Sequence, residues 1–270
     1  MKKLLCLLIF FQIALFSQTV KLFGIAQPGN AMVGIADNIS QVMLNDKIIH
    51  PDASGTFFFG FDRDATGTYL LKIKYKDGKS ELKKFVMPKR KYDIQKINNS
   101  KKQFSSPPEE ELPRIKRERQ MMREARKKIG IVDSAYFATG FIRPINGGEI
   151  TGVFGSQRIL NGEPQNIHNG LDISSPKGTD VHAMADGIVR IAGNDFYYNG
   201  SFVLIDHGQG LSSVYLHFSK LSVETGDFVK KGQKIGEVGT SGRSTGPHLH
   251  WGVNWYKEKI DPNSLLGLGL

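Results

Sequence analysis

The sequence predicts a mainly β protein, and three observations support that fold class. Short runs of aromatic and β-branched residues recur along most of the 270-residue chain, 30 glycines separate them, and only one stretch has a long helical pattern. The clearest hairpin signal is Lys76–Lys79, whose Asp-Gly pair separates two strand-like runs. A chain of this length with 40% hydrophobic residues can bury a core in one or two domains.

The first residues have the pattern of a secretory signal peptide. Two lysines precede an apolar run from Leu4 to Phe16, which is shorter than the roughly 20 residues of a membrane span. We therefore expect residues 1–17 to be a signal peptide and the protein to be exported to the periplasm or cell envelope. Cys6 is the only cysteine of the chain, which excludes an intrachain disulfide and a cysteine-ligated zinc site.

Changes in composition divide the rest of the chain into three parts. Residues 18–88 contain strand-like runs at regular spacing and predict a small, immunoglobulin-like β-sandwich. Residues 89–135 predict a basic linker with a helix. Residues 136–270 predict a mainly antiparallel β domain, because strand-like runs alternate with glycine turns. The small β domain has no cluster of catalytic residue types, so we expect it and the helix to serve in localisation or autoinhibition.

The positive charge of the chain is concentrated in one segment. The net charge is +10, and residues 89–128 contain fourteen Lys or Arg against six Asp or Glu, which accounts for +8. From Glu109 to Lys128, acidic residues at the start and basic residues at the end predict a helix. Its thin apolar stripe favours a solvated connecting helix, with contact to an anionic envelope polymer or a membrane surface as the alternative. Nucleic acid is not an expected partner of an exported protein.

Six of the seven histidines lie between residues 168 and 251. An H-x-x-x-D pair and an H-x-H pair in this stretch indicate a metal centre, because imidazole and carboxylate together suit zinc. The five candidate ligands or catalytic groups are His168, Asp172, His217, His248 and His250. Three protein ligands and an open position characterise catalytic zinc, which leaves two histidines to move protons and stabilise an oxyanion. We expect His182 to be structural, His207 to be a supporting turn residue near the site, and His50 to lie on a surface loop.

Strand periodicity gives the orientation of several candidates. Residues two apart on a strand point to the same face, so His248 and His250 project together. By the same alternation, His217 shares a face with Tyr215. In the H-x-x-x-D pair, Gly170 argues against a helix and favours a turn that leads into a strand.

Taken together, these motifs resemble the lysostaphin-type zinc endopeptidases, which cut peptidoglycan cross-bridges. The resemblance covers roughly residues 140–262. Besides the two metal-binding pairs, it rests on the segments Tyr215–His217, Gly232–Gly236, Gly239–Gly242 and Ser244–His250. It implies a two-sheet antiparallel β domain whose site lies in a groove between loops.

The resemblance also implies a role for each candidate residue. The implied ligands of one Zn²⁺ are His168, Asp172 and His250. The implied general base and transition-state stabiliser are His217 and His248, in an order that the sequence does not determine. All five positions are filled, which favours an active enzyme over the catalytically inactive relatives of this family.

Three features depart from the family pattern or extend it. Trp251 stands where phenylalanine is more usual. The segment Asn194–Gly200 resembles an insertion that lines the groove, and Arg158–Pro164 is suited to substrate contact.

Two other functions remain open at this point. One is a non-catalytic wall-binding or amidase-activating module, and the other is a metallopeptidase that acts on proteins such as elastin. The H-E-x-x-H motif is absent, so a thermolysin-like helical site is excluded. We expect membrane contact only through an uncleaved signal segment. The sequence determines neither which cross-link bond is cut nor the oligomeric state.

Overall fold

A computed structural model describes residues 19–97, 107–160, 162–164 and 166–270. Most of their regular structure is antiparallel strand, so the prediction of a mainly β protein is confirmed. The predicted signal peptide, residues 1–17, lies outside the described residues. Among the helices that are described, none has the length and apolar character needed to cross a bilayer.

Two antiparallel sheets make up the N-terminal part of the protein. Their strands are β1 (Lys21–Phe23), β2 (Ala31–Ile35), β3 (Ile39–Leu44), β4 (Lys47–Ile49), β5 (Thr56–Gly60), β6 (Thr68–Tyr75) and β7 (Ser80–Val86). One sheet has the order β1-β2-β5 and the other β4-β3-β6-β7. The expected Asp-Gly turn joins β6 to β7, and Gly78 there has a φ of 86°. The sheets pack together, since the rings of Phe59 and Phe85 lie 6.0 Å apart. The immunoglobulin-like assignment stays a prediction.

Strand β5 is buried on both of its faces. Phe57, Phe58 and Phe59 have no exposed surface, and successive residues of a strand point to opposite faces. Phe59 faces the four-stranded sheet, whereas Phe58 makes an edge contact with Phe137 of the C-terminal part, with ring centroids 5.4 Å apart. A single hydrophobic core therefore extends from the N-terminal sheets into the C-terminal part.

The rest of the chain contains two helices, one 3-10 turn and thirteen strands among the described residues. These are β8 (Ile94–Ile97), the 3-10 turn Glu109–Glu111, α1 (Leu112–Lys127), β9 (Glu149–Gly152), β10 (Gln157–Leu160), β11 (Glu163–Pro164), β12 (Gly170–Ser174), β13 (Asp180–His182), β14 (Gly187–Phe196), β15 (Gly200–Asp206), β16 (Leu211–Leu221), β17 (Phe228–Val229), β18 (Lys234–Val238), β19 (His248–Trp255), β20 (Glu258–Ile260) and α2 (Pro262–Leu266).

Ten of these strands form one continuous sheet, with the main order β17-β14-β15-β16-β19-β12-β9. The family resemblance implies two sheets in this domain. Here the two are joined into one, because the long strand β16 belongs to both. Its first half pairs with β15 and β19, and its second half pairs with β18, which in turn pairs with β13. A separate small sheet contains β8, β10 and β11.

Part of the predicted linker is ordered against the C-terminal part. Strand β8 pairs in parallel with β10, and the ring of Tyr92 makes an edge contact with Phe154 at 6.3 Å. Arg90 forms an ion pair with Asp261, which caps α2. Residues 89–97 are therefore held in place, while 98–106 lie outside the described residues.

Helix α1 packs against the sheet, contrary to the expectation of a solvated connector. Ala125 on its inner side belongs to a small apolar cluster with side chains of β14 and β15, among them Ile191 and Leu204. At the other end of the helix, Arg114 pairs with Asp195 at 3.2 Å. The apolar stripe is thin because only one side of the helix contacts this cluster. Helical periodicity alone does not predict such a tertiary contact.

The polar contact between the two halves of the core suggests a first test. The Gln209 side chain is buried; it accepts a hydrogen bond from the Phe58 N–H at 2.8 Å and donates to the carbonyls of Thr56 and Asp133. We expect Gln209→Ala to lower the free energy of unfolding by about 3 kcal/mol, because the buried Phe58 N–H loses its partner and the carbonyls of Thr56 and Asp133 each lose one hydrogen bond. Urea unfolding of the full chain measures this change.

The exposed Gln120 of α1 is the matched control. Gln120→Ala should change the free energy of unfolding by no more than about 0.5 kcal/mol. Equal effects of the two substitutions would contradict the role of Gln209 in joining the halves.

Candidate metal centre

Two neighbouring strands and the segment that precedes one of them bring three candidate ligands together. Asp172 on β12 lies directly opposite His250 on β19, and opposite residues of an antiparallel pair share a face. His168 precedes β12 in a segment that is neither strand nor turn, contrary to the expectation of a turn, and its N–H donates to the Ser156 carbonyl at 2.9 Å. The Oδ1 atom of Asp172 lies 2.8 Å from Nδ1 of His250 and 3.0 Å from Nε2 of His168. The two histidine nitrogens are 3.1 Å apart.

The protonation states of these groups suit metal binding. Burial would raise the pKa of the Asp172 carboxyl, but hydrogen bonds and charge from His168 and His250 outweigh it and hold that pKa well below its usual value. Burial also lowers the pKa of the His250 imidazole. A metal ligand must be a carboxylate or a neutral imidazole, so the environment favours the binding form of both residues.

The spacing of the three atoms fits zinc. With bonds of roughly 2.0–2.2 Å in tetrahedral geometry, ligand atoms of zinc lie about 3.3 Å apart. The separations between the three atoms, 2.8, 3.0 and 3.1 Å, are within about half an ångström of that value. Gly152 leaves room for the carboxylate, since a Cβ there would lie 2.5 Å from Oδ2 of Asp172. Nitrogen and oxygen donors of this kind are those that zinc prefers.

The two remaining histidines lie beside this trio, and both bind backbone carbonyls through Nδ1 and not through Nε2. The rings of His217 and His248 are 4.8 Å apart, and Nε2 of His248 lies 3.9 Å from Oδ1 of Asp172. The Nδ1 of His217 donates to the Ser241 carbonyl at 2.8 Å, and that of His248 to the Gly246 carbonyl at 2.9 Å. A carbonyl only accepts, so each neutral ring keeps the lone pair on Nε2.

His217 faces the metal trio only because its strand is irregular. Regular alternation predicts that it shares a face with Tyr215, and this prediction is wrong. His217 has a φ of 70°, and the pairing of β16 shifts register next to it. Leu216, the cross-strand partner of His250, and His217 therefore point to the same face, and Phe218 returns to the core of Tyr215. Such a bulge re-aims one side chain, at some cost in backbone strain.

Burial keeps His217 neutral. It lowers the pKa of the imidazole to about 4, which the hydrogen bond to the Ser241 carbonyl offsets only in part. At neutral pH the ring is therefore uncharged and able to accept a proton on Nε2.

Ser241 holds the irregular segment, a role that sequence reasoning did not assign. Its hydroxyl donates to the Phe218 carbonyl and accepts from the Ser201 N–H, both at 2.8 Å. The N–H of His217 donates to the Asn199 carbonyl at 3.1 Å. The available signal was the position of Ser241 in the Gly239–Gly242 motif, but only the fold shows what it contacts.

The other three histidines lie away from the trio. His50 is exposed in a loop, as expected. His182 is half-buried, with Nδ1 3.3 Å from the Pro144 carbonyl. His207 is fully buried and bonds Ser213, which shares a face with Tyr215. The expectation that His207 lies near the site is wrong, because its turn delivers it to the opposite face of the sheet.

One family model and several curated relatives match the C-terminal part of the chain. Residues 166–262 match the sequence model of peptidase family M23. A DD-carboxypeptidase/endopeptidase of Neisseria meningitidis, Mpg, is 40% identical over 99 residues, which are 37% of this chain and 23% of that protein. The peptidoglycan DD-endopeptidase ShyA of Vibrio cholerae is 46% identical over 84 residues, 31% of this chain and 19% of that protein. The chain thus spans about a fifth of the length of these relatives.

A solved structure resembles the protein over nearly its whole length. It is a crystal structure assigned to a Pseudomonas aeruginosa peptidase M23, with a TM-score of 0.59 and 24% identity, and the match covers 92% of this chain and 93% of that one. At this identity the likeness concerns the fold alone. Residues 166–262 of this chain thus resemble peptidase family M23 in sequence, and they contain the H-x-x-x-D and H-x-H pairs that converge in the fold.

Proposed function

We propose that this protein is a zinc-dependent endopeptidase that hydrolyses peptide cross-links of peptidoglycan in the cell envelope. The observation that carries the proposal is the convergence of His168, Asp172 and His250 beside two histidines that present free Nε2 atoms. The names of the matched relatives support peptidoglycan as the substrate. Export through residues 1–17 and the division of the chain at residues 88 and 135 belong to the same proposal.

The three-residue set is proposed to hold one Zn²⁺. Bound there, zinc supplies Lewis acidity toward water and toward the scissile carbonyl. Asp172 contributes the negative charge that offsets part of the cation, and His168 and His250 contribute neutral nitrogens. A hydrogen bond between Nδ1 of His168 and the Val153 carbonyl, 2.9 Å long, orients the His168 ring. A hydrogen bond of this kind fixes the tautomer of a ligand histidine and the direction of its ring.

The histidine pair is proposed to carry the proton transfers. A neutral imidazole beside the trio accepts the proton of the attacking water at Nε2 and returns it to the leaving amine. The second imidazole stabilises the oxyanion of the tetrahedral intermediate as an imidazolium, whose protonated Nε2 donates the hydrogen bond while Nδ1–H stays on its carbonyl. The hydrogen bonds from Nδ1 to the carbonyls of Ser241 and Gly246 hold both rings in position for these steps. One of His217 and His248 is the general base and the other stabilises the oxyanion, with no order assigned between them.

The decisive experiment digests purified peptidoglycan with the full chain, with and without a zinc chelator. Mass spectrometry of the released muropeptides should show cleaved peptide cross-links, and the chelator should abolish them. Binding to the wall without cleavage would identify a non-catalytic wall-binding module instead. Cleavage of casein or elastin without cleavage of muropeptides would identify a protein-directed metallopeptidase.

Removal of one ligand tests the metal site directly. We expect Asp172→Ala to weaken zinc binding at least about 100-fold, because the only anionic donor of the trio is lost. Competition with a chromophoric chelator measures the affinity. The control is Asp180→Ala, which removes an exposed carboxylate that pairs with Lys234 at 2.6 Å. Equal zinc affinity in the two variants would contradict the assignment.

Removal of a catalytic histidine should separate turnover from metal binding. We expect His217→Ala to keep its zinc and to lose turnover by about 10²- to 10⁴-fold, the usual contribution of a general acid or base. Metal analysis and cleavage rates of a cross-linked muropeptide measure the two quantities on one sample. Loss of zinc from this variant would show that His217 is a ligand.

A further inference from the structure

Helix α1 lies on the same face of the sheet as the metal trio. Val214 and Leu216 of β16 pack against the cluster beneath α1. Leu216 is the cross-strand partner of His250, so its side chain and that of His250 point to the same side. The helix covers β14 and β15, while the trio lies over β19 and β12 farther along the sheet. The helix therefore forms a wall beside the proposed active site.

A cavity of about 390 Å³ separates this wall from the turn between β14 and β15. Its floor is apolar and consists of Ile115, Met122 and Phe196. The helix side of its rim carries arginines, and the ring of Tyr198 lines the turn side. Two contacts besides the apolar cluster hold the helix here: Arg114 pairs with Asp195, and Glu118 accepts from the Tyr197 N–H at 2.9 Å.

The turn that lines this cavity also supports the catalytic histidine pair. The carbonyl of Asn199 accepts the N–H of His217 at 3.1 Å, and that of Tyr198 accepts the N–H of Arg243 at 3.0 Å. The side chains of both turn residues line the cavity. Asn199 therefore lines the cavity and also holds the backbone of His217, so a ligand in the cavity would contact the turn that positions this histidine.

The rim of the cavity has a surplus of positive charge. Arg119, Arg123 and Arg126 line it, and within the described part of the chain none of the three pairs with a carboxylate. Arg123 donates to the amide oxygen of Gln120. Glu118 is the only acidic residue in the lining, and its carboxylate is already bonded to Arg114 and to the Tyr197 N–H. Guanidinium groups recognise carboxylates through paired N–H donors.

We propose that this cavity is a subsite for a carboxylate-bearing part of the peptide substrate, bound by Arg119, Arg123 and Arg126. The proposal rests on the proposed function and specifies its substrate class: a cross-linked peptide that carries a free side-branch or terminal carboxylate near the scissile bond. Stem peptides of peptidoglycan have such carboxylates, and the apolar floor and Tyr198 suit the neighbouring aliphatic part. The arginines thereby select acidic over amidated peptides.

The test compares a cross-linked muropeptide with its carboxamide counterpart. The wild-type chain should have a kcat/KM about fivefold higher for the acid, a ratio typical of ion pairs at a partly exposed site. The double variant Arg119→Gln/Arg123→Gln should lose this preference and keep its zinc content. A second readout is the affinity of the two peptides for the chain, measured by titration calorimetry on the same samples.

The matched control removes the same charge from the outer side of α1. Lys116 and Arg117 are exposed and do not line the cavity. Lys116→Gln/Arg117→Gln should keep the preference, and its loss there would show a general effect of charge. An unchanged preference in Arg119→Gln/Arg123→Gln, or equal rates and affinities for acid and amide in the wild type, would overturn the subsite.

Two further outcomes separate the subsite from the broader proposals. If the wild type cleaves neither peptide, the proposed function fails, and the acid-over-amide ratio of affinities alone decides the subsite. Inhibition by soluble polyphosphate that depends on Arg119 and Arg123, without discrimination between the peptides, would overturn the subsite in favour of a phosphate polymer as the occupant.

Discussion

The pairing register of β12 and β19 is the constraint on which the candidate site depends. This register sets Asp172 opposite His250, and the segment before β12 adds His168. A shift of one residue would turn Asp172 toward the core and leave the histidines without the carboxylate. The two apolar residues that flank His250 prevent that shift. Leu249 and Trp251 are fully buried on the core face of the strand, opposite to the face of His250. Core packing and metal-site geometry thus depend on the same alternation.

The histidine pair requires a departure from that alternation. His217 adopts a left-handed backbone conformation, which is unusual for a residue with a side chain. Ser241 stabilises it with one carbonyl and one hydroxyl, and Asn199 holds the peptide N–H. The turn between β14 and β15, which contains Asn199, also lines the cavity beside α1. Asn199 thus contacts both the cavity and the backbone of His217, so the proposed subsite and the proposed catalytic histidine share one turn.

The N-terminal sheets and the C-terminal sheet share one core. Phe58 packs on Phe137, and Gln209 satisfies backbone groups from both halves. Helix α1 and strand β8 extend this arrangement along the two sides of the C-terminal part. The segments that precede residue 136 thus pack along the C-terminal part of the chain. The described parts of the basic segment are therefore packed against the C-terminal part, whereas a freely solvated linker would make no such contacts.

The sequence by itself determined the strand-rich fold, the Asp-Gly hairpin and the five candidate residues, because these depend on local periodicity and on motifs of fixed spacing. His248 and His250 share a face as a direct consequence of the two-residue repeat. Tertiary structure alone decided the orientation of His217, the distance of His207 from the site and the docking of α1. Each of these depends on a bulge, a turn or a packing partner far away in the chain, and residue spacing does not encode such contacts.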